Sequence, residues 1–136
     1  MNREIKFRAW NKKEKYMEIV DDLQMFSNDL SIGIPSKDYF LRKDDVELMQ
    51  YTGLHDKNEK EIYEGDIVLL DCYNYEEPAF DGEFKVIYDD INGMWLLIDL
   101  ENKDRDFTFG EIRSYYKAEI EVIGNIYDNP ELLGGE

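Results

Sequence analysis

Apolar and polar residues alternate with period 2 along most of the chain, and this pattern leaves little room for anything but antiparallel β-structure. Glu4-Ile5-Lys6-Phe7-Arg8-Ala9-Trp10 sets Ile5, Phe7 and Ala9 on one face and Lys6, Arg8 and Trp10 on the other. Asn11-Lys12-Lys13-Glu14 reads as a turn, and Tyr16 to Val20 as the returning strand of a hairpin. The same rule marks strands over 46–51, 61–63, 67–73, 84–88, 94–100 and 120–127, with polar turns at Asp56–Lys60 and Glu64-Gly65-Asp66. Asn92-Gly93 is the sharpest hairpin signal, because a type I′ turn needs positive φ at both central residues. Residues 74–82, which contain Pro78 and Gly82, read as an acidic loop. Thr108-Phe109-Gly110-Glu111 has the spacing of a capping box and predicts a short helix over 109–116.

Strands joined by short turns, with one helical turn before the last, predict a mainly β chain whose residues 46–127 form a small SH3-like barrel. A two-stranded hairpin is not stable alone in water, so the N-terminal strands must pack on that barrel or on another subunit. Residues 1–45 are then the hairpin with a connecting segment, and residues 128–136 a tail. Ser27-Asn28-Asp29 and Ile34-Pro35-Ser36 interrupt the segment 21–45, where short strands and a helical turn around Asp22–Phe26 are both open. Leu132 and Leu133 either pack back on the body or belong to a free end.

The 136 residues include 32 acidic and 16 basic side chains, for a net charge of −16. A chain of this length buries enough surface to fold without disulfides or metal. Residues 1–20 hold six Lys/Arg against three Glu, so this segment is +3 and the remaining residues carry −19. Such an acidic body opposes nucleic-acid binding by phosphate neutralisation and is repelled by anionic membranes. No run approaches the ~18 apolar residues of a membrane span, and the N-terminus lacks the apolar centre of a secretory signal. A cytoplasmic location is the expectation, and a single thiol agrees with it.

Catalysis finds little support in the side chains present. With 32 carboxylates, pairs at useful separations arise by chance, so their spacing says nothing. His55 is the only imidazole and sits in a turn region. Cys72 alternates with Val68 and Leu70, as a buried cysteine does, and Asp71 beside it opposes a thiolate. Ser31, Ser36 and Ser114 lack the G-x-S-x-G context. One Cys and one His cannot build a zinc site of the Cys/His type within a single chain; only an oligomer could assemble one. Asp56-Lys57-Asn58-Glu59-Lys60-Glu61 opens like a calcium loop, but Glu61 stands where glycine belongs and Ile67 where the last glutamate belongs. Divalent ions on the acidic stretch Asp99–Asp106 remain open, and no glycine pattern for nucleotide phosphates is present. The expectation is a non-enzyme without a cofactor; a metal-dependent hydrolase is the alternative.

Two places could bind partners. Lys6, Arg8 and Trp10 form a basic, aromatic face on the first strand. The run Met94–Ile98 is apolar on both faces, with Trp95 and Leu97 on one side and Met94, Leu96 and Ile98 on the other. A strand of that kind is sandwiched or covered by another chain, which points to a homo-oligomer. The candidate interaction surface is therefore Lys6, Arg8, Trp10, Trp95 and Leu97.

Four segments together resemble one family. Arg3-Glu4-Ile5-Lys6-Phe7-Arg8-Ala9-Trp10 is similar to the opening of YopX-domain proteins of bacteriophages and prophages. Leu48-Met49-Gln50-Tyr51-Thr52-Gly53-Leu54, Glu61-Ile62-Tyr63-Glu64-Gly65-Asp66-Ile67-Val68 and Glu121–Leu133 follow it in order. The resemblance implies a phage-derived protein in the bacterial cytoplasm with a C-terminal SH3-type barrel; it implies no activity and no catalytic residues. Its motif residues Gly53, Gly65, Asp66, Gly124, Asn129 and Pro130 suit turns, bulges and a strand stop, and so read as architecture. The function expected is a phage accessory protein that binds a host or phage protein through an acidic surface. A DNA mimic that blocks a DNA-binding protein, and direct nucleic-acid binding through the basic first strand, are the alternatives.

Overall fold

The computed structural model describes residues 4–26, 29–34 and 40–133; Arg3, the Ser27-Asn28 break and Pro35-Ser36 lie outside the described residues. The chain is mainly β with one α-helix, and it divides into two compact units, Met1–Gly53 and Leu54–Glu136. Among the described residues no helix is long and apolar enough to cross a membrane.

In the first unit, β1 (Phe7–Asn11) pairs antiparallel with β2 (Tyr16–Val20) in the register Phe7↔Val20, forming the hairpin that the alternation predicts. Asn11 closes its turn: the side-chain Oδ1 accepts the amides of Lys13 and Glu14, and Nδ2 donates to Glu18. Asp22–Phe26 forms a strand rather than a helical turn: β3 (Asp22–Phe26), β4 (Asp29–Gly33) and β5 (Phe40–Arg42) form a three-stranded antiparallel sheet, and a 3₁₀ turn over Lys43–Asp45 follows. Ile32 and Ile34 bury with Ala9 and Val46, and Leu23, Leu30, Leu41 and Leu48 pack around them. This is why the short strands hold despite a weak alternation: the leucines and isoleucines find a second sheet to cover.

The long strand β6 (Val46–His55) pairs with the other edge of β1, Asn11↔Val46 through Phe7↔Gln50. The division between the units therefore falls at Gly53/Leu54 rather than at 45/46, because the first half of β6 is bonded into the sheet of β1. Gly53 holds φ at 89°, a conformation that side chains resist. β7 (Glu61–Tyr63) completes the sheet order β2-β1-β6-β7.

The second unit is built on a five-stranded antiparallel sheet. Its strands are β8 (Asp66–Asn74), β9 (Glu77–Asp89), β10 (Met94–Asp99), β11 (Asp106–Thr108) and β12 (Lys117–Asn125), in the order β11-β10-β9-β8-β12. Helix α1 (Phe109–Tyr115) starts at the predicted capping box: Thr108 Oγ1 accepts the Glu111 amide and Glu111 accepts the Thr108 amide, both at 2.9 Å. The core joins Val68, Leu70, Cys72, Phe84, Val86, Leu97, Ile112 and Ile120 with Ile62 and Phe109. Phe80 stacks on Phe107 at 4.9 Å and meets Tyr116 edge-on at 5.1 Å. Arg105 covers the Phe80 ring at 4.5 Å and pairs with Asp99, whose Oδ1 accepts the amides of Glu101 and Asn102.

Two turn expectations need correction. Residues 74–82 form no loop; β8 and β9 continue as a ladder to Asn74↔Glu77, around a two-residue turn of Tyr75 and Glu76. Pro78 is tolerated because a register shift between Cys72 and Tyr73 makes a bulge there, and because β10 pairs only with Phe84–Asp89, leaving the other edge of β9 free of ladder partners at Pro78. At Asn92-Gly93 only Gly93 has positive φ, 67°, so the turn is not type I′. Asp89 prevails instead: its Oδ1 accepts the amides of Ile91 and Asn92, Oδ2 accepts Asn92 Nδ2, and a four-residue loop results. The Asn92 side chain, followed by the two amides, holds the Asp89 carboxyl below its ordinary range.

Candidate functional site

Of the motif residues, all but Gly53 lie in the second unit. Asp66, 1% exposed, accepts the Tyr63 amide at 2.7 Å and so closes the turn into β8. Gly65, with φ at 86°, donates its amide to the Val86 carbonyl, and its own carbonyl accepts the Ile126 amide, tying the turn before β8 to β9 and to the residue after β12. Gly124 follows a bulge in β12, and a Cβ there would stand 2.6 Å from Asn129 Oδ1. Asn129 uses that oxygen to accept the Asn125 amide, and a 3₁₀ turn, Pro130–Leu133, brings Leu132 back against Gly124. The chain end through Leu133 is therefore packed rather than free.

Sequence reasoning missed Asp56. It is 7% exposed, and its two oxygens accept three backbone amides: Asn58 at 2.8 Å, Lys60 at 2.9 Å and, across the fold, Val122 at 2.9 Å. Burial pushes its carboxyl up, but the amides of Val122, Lys60 and Asn58 together with the Lys60 charge outweigh it and hold the group below its usual range. The residues that open like a calcium loop are thus a turn in which the carboxylate is filled by amides.

The candidate interaction residues do not share one face. Trp10 is 8% exposed, and Arg8 is half-buried between Ile19 and Met49 on the neighbouring strands. Lys6 pairs with Glu4 at 3.4 Å and stands 5.8 Å from the Tyr51 ring. Lys12 pairs with Glu47 at 3.3 Å. The first strand is central in its sheet, so its apolar neighbours bury the indole and the Arg8 stem that sequence alternation assigns to a free face. Leu97 is fully buried in the second core, and Trp95 is half-buried against Tyr88 at 4.9 Å. The outer side of β10 is Met94, Leu96 and Ile98 instead, because Trp95 and Leu97 share their face with the core residues Phe84 and Val86.

Pairing creates a feature that no single segment reveals. Glu119 stands directly opposite Asp71, and Asp71 directly opposite Asp81, giving three carboxylates in a row across β12, β8 and β9. The next row on the same face is Glu121, Leu69 and Glu83, with Leu69 41% exposed at its centre. Neighbouring strands lie about 5 Å apart, and like charges placed opposite each other destabilise a sheet. Lys57 answers part of this charge, 3.7 Å from Glu119 and 3.6 Å from Glu121. Tyr73, one step along β8, donates its hydroxyl to Asp71 at 3.1 Å. That bond, then the charges of Asp71, Glu119 and Asp81, hold the phenol above its ordinary pKa.

Cys72 points into the core, where burial, with a contribution from Asp71, pushes its thiol up to about 11. His55 is exposed in the strand end before the Asp56 turn. Among the described residues no group of three or more His, Cys, Asp or Glu has the arrangement of a metal site.

The model of the family described as YopX protein matches residues 6–134. A solved structure, the crystal structure of protein EF1440 from Enterococcus faecalis, is similar at 28% identity and a TM-score of 0.58, covering 97% of this chain and 99% of that one. No protein with a curated description matches the chain. With nearly its whole length matched by the family model, the chain belongs to the YopX protein family.

Proposed function

We propose that this is a phage-encoded accessory protein of the bacterial cytoplasm that acts without catalysis, by binding a basic surface of a host or phage protein. The two carboxylate rows on the sheet of the second unit carry this reading. Five carboxylates lie on one face, Asp71, Asp81, Glu83, Glu119 and Glu121, with Lys57 bridging two of them. Such a face steers a basic partner and selects against acidic ones. The five strands and the helix before the last are, on this reading, an SH3-like barrel with the N-terminal hairpin as a separate subdomain. The row Met94, Leu96 and Ile98 supports a second, self-associating contact, with Met94 38% exposed.

A narrower version is a DNA mimic, in which the carboxylate rows occupy the phosphate track of a DNA-binding protein. The cross-strand rows favour it, since they place charges at regular spacing. Direct nucleic-acid binding through the first strand has less support, because Trp10 is buried and Lys6 and Lys12 are paired with Glu4 and Glu47. Affinity purification of the tagged protein from infected cells at low and high salt tests the proposal. Partners that are basic and released by salt are expected. Partners that are acidic, or retained regardless of salt, overturn it.

A further inference from the structure

Where β8 turns into β9 and α1 meets β12, the second unit carries an open groove of about 680 Å³ lined by Tyr73, Tyr75, Tyr115 and Tyr116 with Lys117. Tyr75 is 92% and Tyr115 72% exposed, so the groove presents two large aromatic rings to water. Tyr75 also holds φ at 63°, in the left-handed region that a bulky side chain resists and glycine accepts freely. Its two-residue turn would close at less cost with glycine, so the local backbone gives no reason for an aromatic ring at the tip.

Lys117 is the one charged residue in the groove's lining, and the charges next to that lining are acidic. Asp71 accepts the Tyr73 hydroxyl, Glu119 and Asp81 flank Asp71 across the strands, and Glu76 and Glu77 follow Tyr75 at the tip. Tyrosine faces attract cations through their quadrupole, and carboxylates beside them add charge. A guanidinium answers both, stacking flat on a ring while its edge donates to a carboxylate; an ammonium does so less well. Bases could also stack on tyrosines, but their phosphates would face the carboxylate rows.

We propose that this groove receives arginine side chains of a basic peptide segment of the partner, with Tyr75 and Tyr115 stacking on guanidinium groups and Asp71, which lies outside the lining but is bonded to the lining Tyr73, accepting from them at its rim. The inference rests on the acidic-face reading above and names the chemistry that face would recognise. Lys117, exposed beside Tyr73, is the groove's own cation and competes with an incoming one.

The test is titration of the full-length protein with an arginine-rich peptide, a lysine-rich peptide of equal length and a single-stranded oligonucleotide, at low and high salt. Arginine peptide is expected to bind in preference to lysine peptide. Tyr75→Gly and Tyr115→Ser are each expected to weaken arginine peptide by about three- to tenfold, and Lys117→Ala to strengthen it. Glycine suits the turn, so Tyr75→Gly keeps the fold, and an unchanged thermal melt of each variant confirms that lost binding is local. If wild type binds arginine peptide, Asp71→Asn weakens it, and the two tyrosine variants do not, the groove is wrong while the acidic face stands. If wild type binds neither basic peptide at low salt, the acidic-face reading falls and takes the groove with it. Preferential capture of the oligonucleotide also overturns both.

Discussion

Replacing Asp56 isolates one side chain that ties the 56–60 turn to β12 within the second unit. Its Oδ1 accepts the amides of Asn58 and Lys60, and its Oδ2 accepts the Val122 amide from 66 residues away. Hydrogen bonds to a charged group are worth about 1.5–3 kcal/mol each when made, and a buried amide left without an acceptor costs about 1–3 kcal/mol. Asn58 and Lys60 are exposed, so water can reach their amides; Val122 is half-buried beside a bulge and has less access. Asp56→Ala is therefore expected to lose about 2–4 kcal/mol, mainly through Val122. Asp56→Asn keeps one accepting oxygen but turns an NH₂ toward one of the amides, so about half that loss is expected. Urea unfolding followed by tryptophan fluorescence measures both, with the midpoint falling and the slope unchanged. The acid limb adds a second reading. Because the folded carboxyl lies below its ordinary value, its contribution is present above that ordinary value and fades as pH falls through the folded pKa. Asp56→Asn should lose this part of the acid sensitivity. Unfolding midpoints for Asp56→Ala within about 0.5 kcal/mol of wild type, the usual range of neutral surface changes, would refute the reasoning.

Three further outcomes follow from the same geometry. Gly124→Ala should cost about 1–3 kcal/mol by overpacking, since its Cβ would meet Asn129 Oδ1 and Leu132 Cδ1; thermal melts check this, and Asn129→Gly in the same chain should recover part of the loss. Cys72 should resist thiol reagents in the native state at pH 8 and react once urea unfolds the chain, as burial and the thiol pKa of about 11 require; fast native labelling would contradict its placement. Asp71→Asn should stabilise the sheet by roughly 0.2–1 kcal/mol, since it breaks a run of like charges, while weakening salt-sensitive binding of basic partners; a variant that loses stability would show that the row is compensated.

Much of the fold was legible because most strands advertise themselves locally. The alternation over Phe7–Trp10 and over 67–73 needs only a half-buried sheet, and the Thr108/Glu111 cap needs only three residues of separation. Local signals misled where a side chain could redirect the backbone. Asn92-Gly93 carries the type I′ pair, yet Asp89, three residues before Asn92, captures the amides that would have shaped that turn. Trp10 differs for another reason: alternation separates two faces but cannot say which is covered, whereas the burial of Leu97 agrees with a run apolar on both faces. The acidic rows were invisible for the same reason as the Asp56 tie. Glu119, Asp71 and Asp81 come from three strands, and only the register, set by a bulge in each ladder, makes them neighbours.

The residues that carry the family resemblance and those that could bind a partner separate cleanly by the local rules they obey. Gly65, Asp66, Gly124 and Asn129 each satisfy a turn, an amide or a close approach, so their chemistry is consumed within the fold. The hairpin tip and the sheet face do the reverse: Tyr75 stands in a conformation better suited to glycine, and Asp71 stands between two other carboxylates. Each arrangement costs stability that a glycine or a neutral side chain would return, and Lys57, paired with Glu119 and Glu121, and the Tyr73 hydroxyl, donated to Asp71, offset part of the charge. Sequences that fold well are locally consistent, and departures concentrate where a surface has another task. That both departures meet at Tyr73, which bonds to Asp71 and lines the tyrosine groove, makes them one surface rather than two accidents.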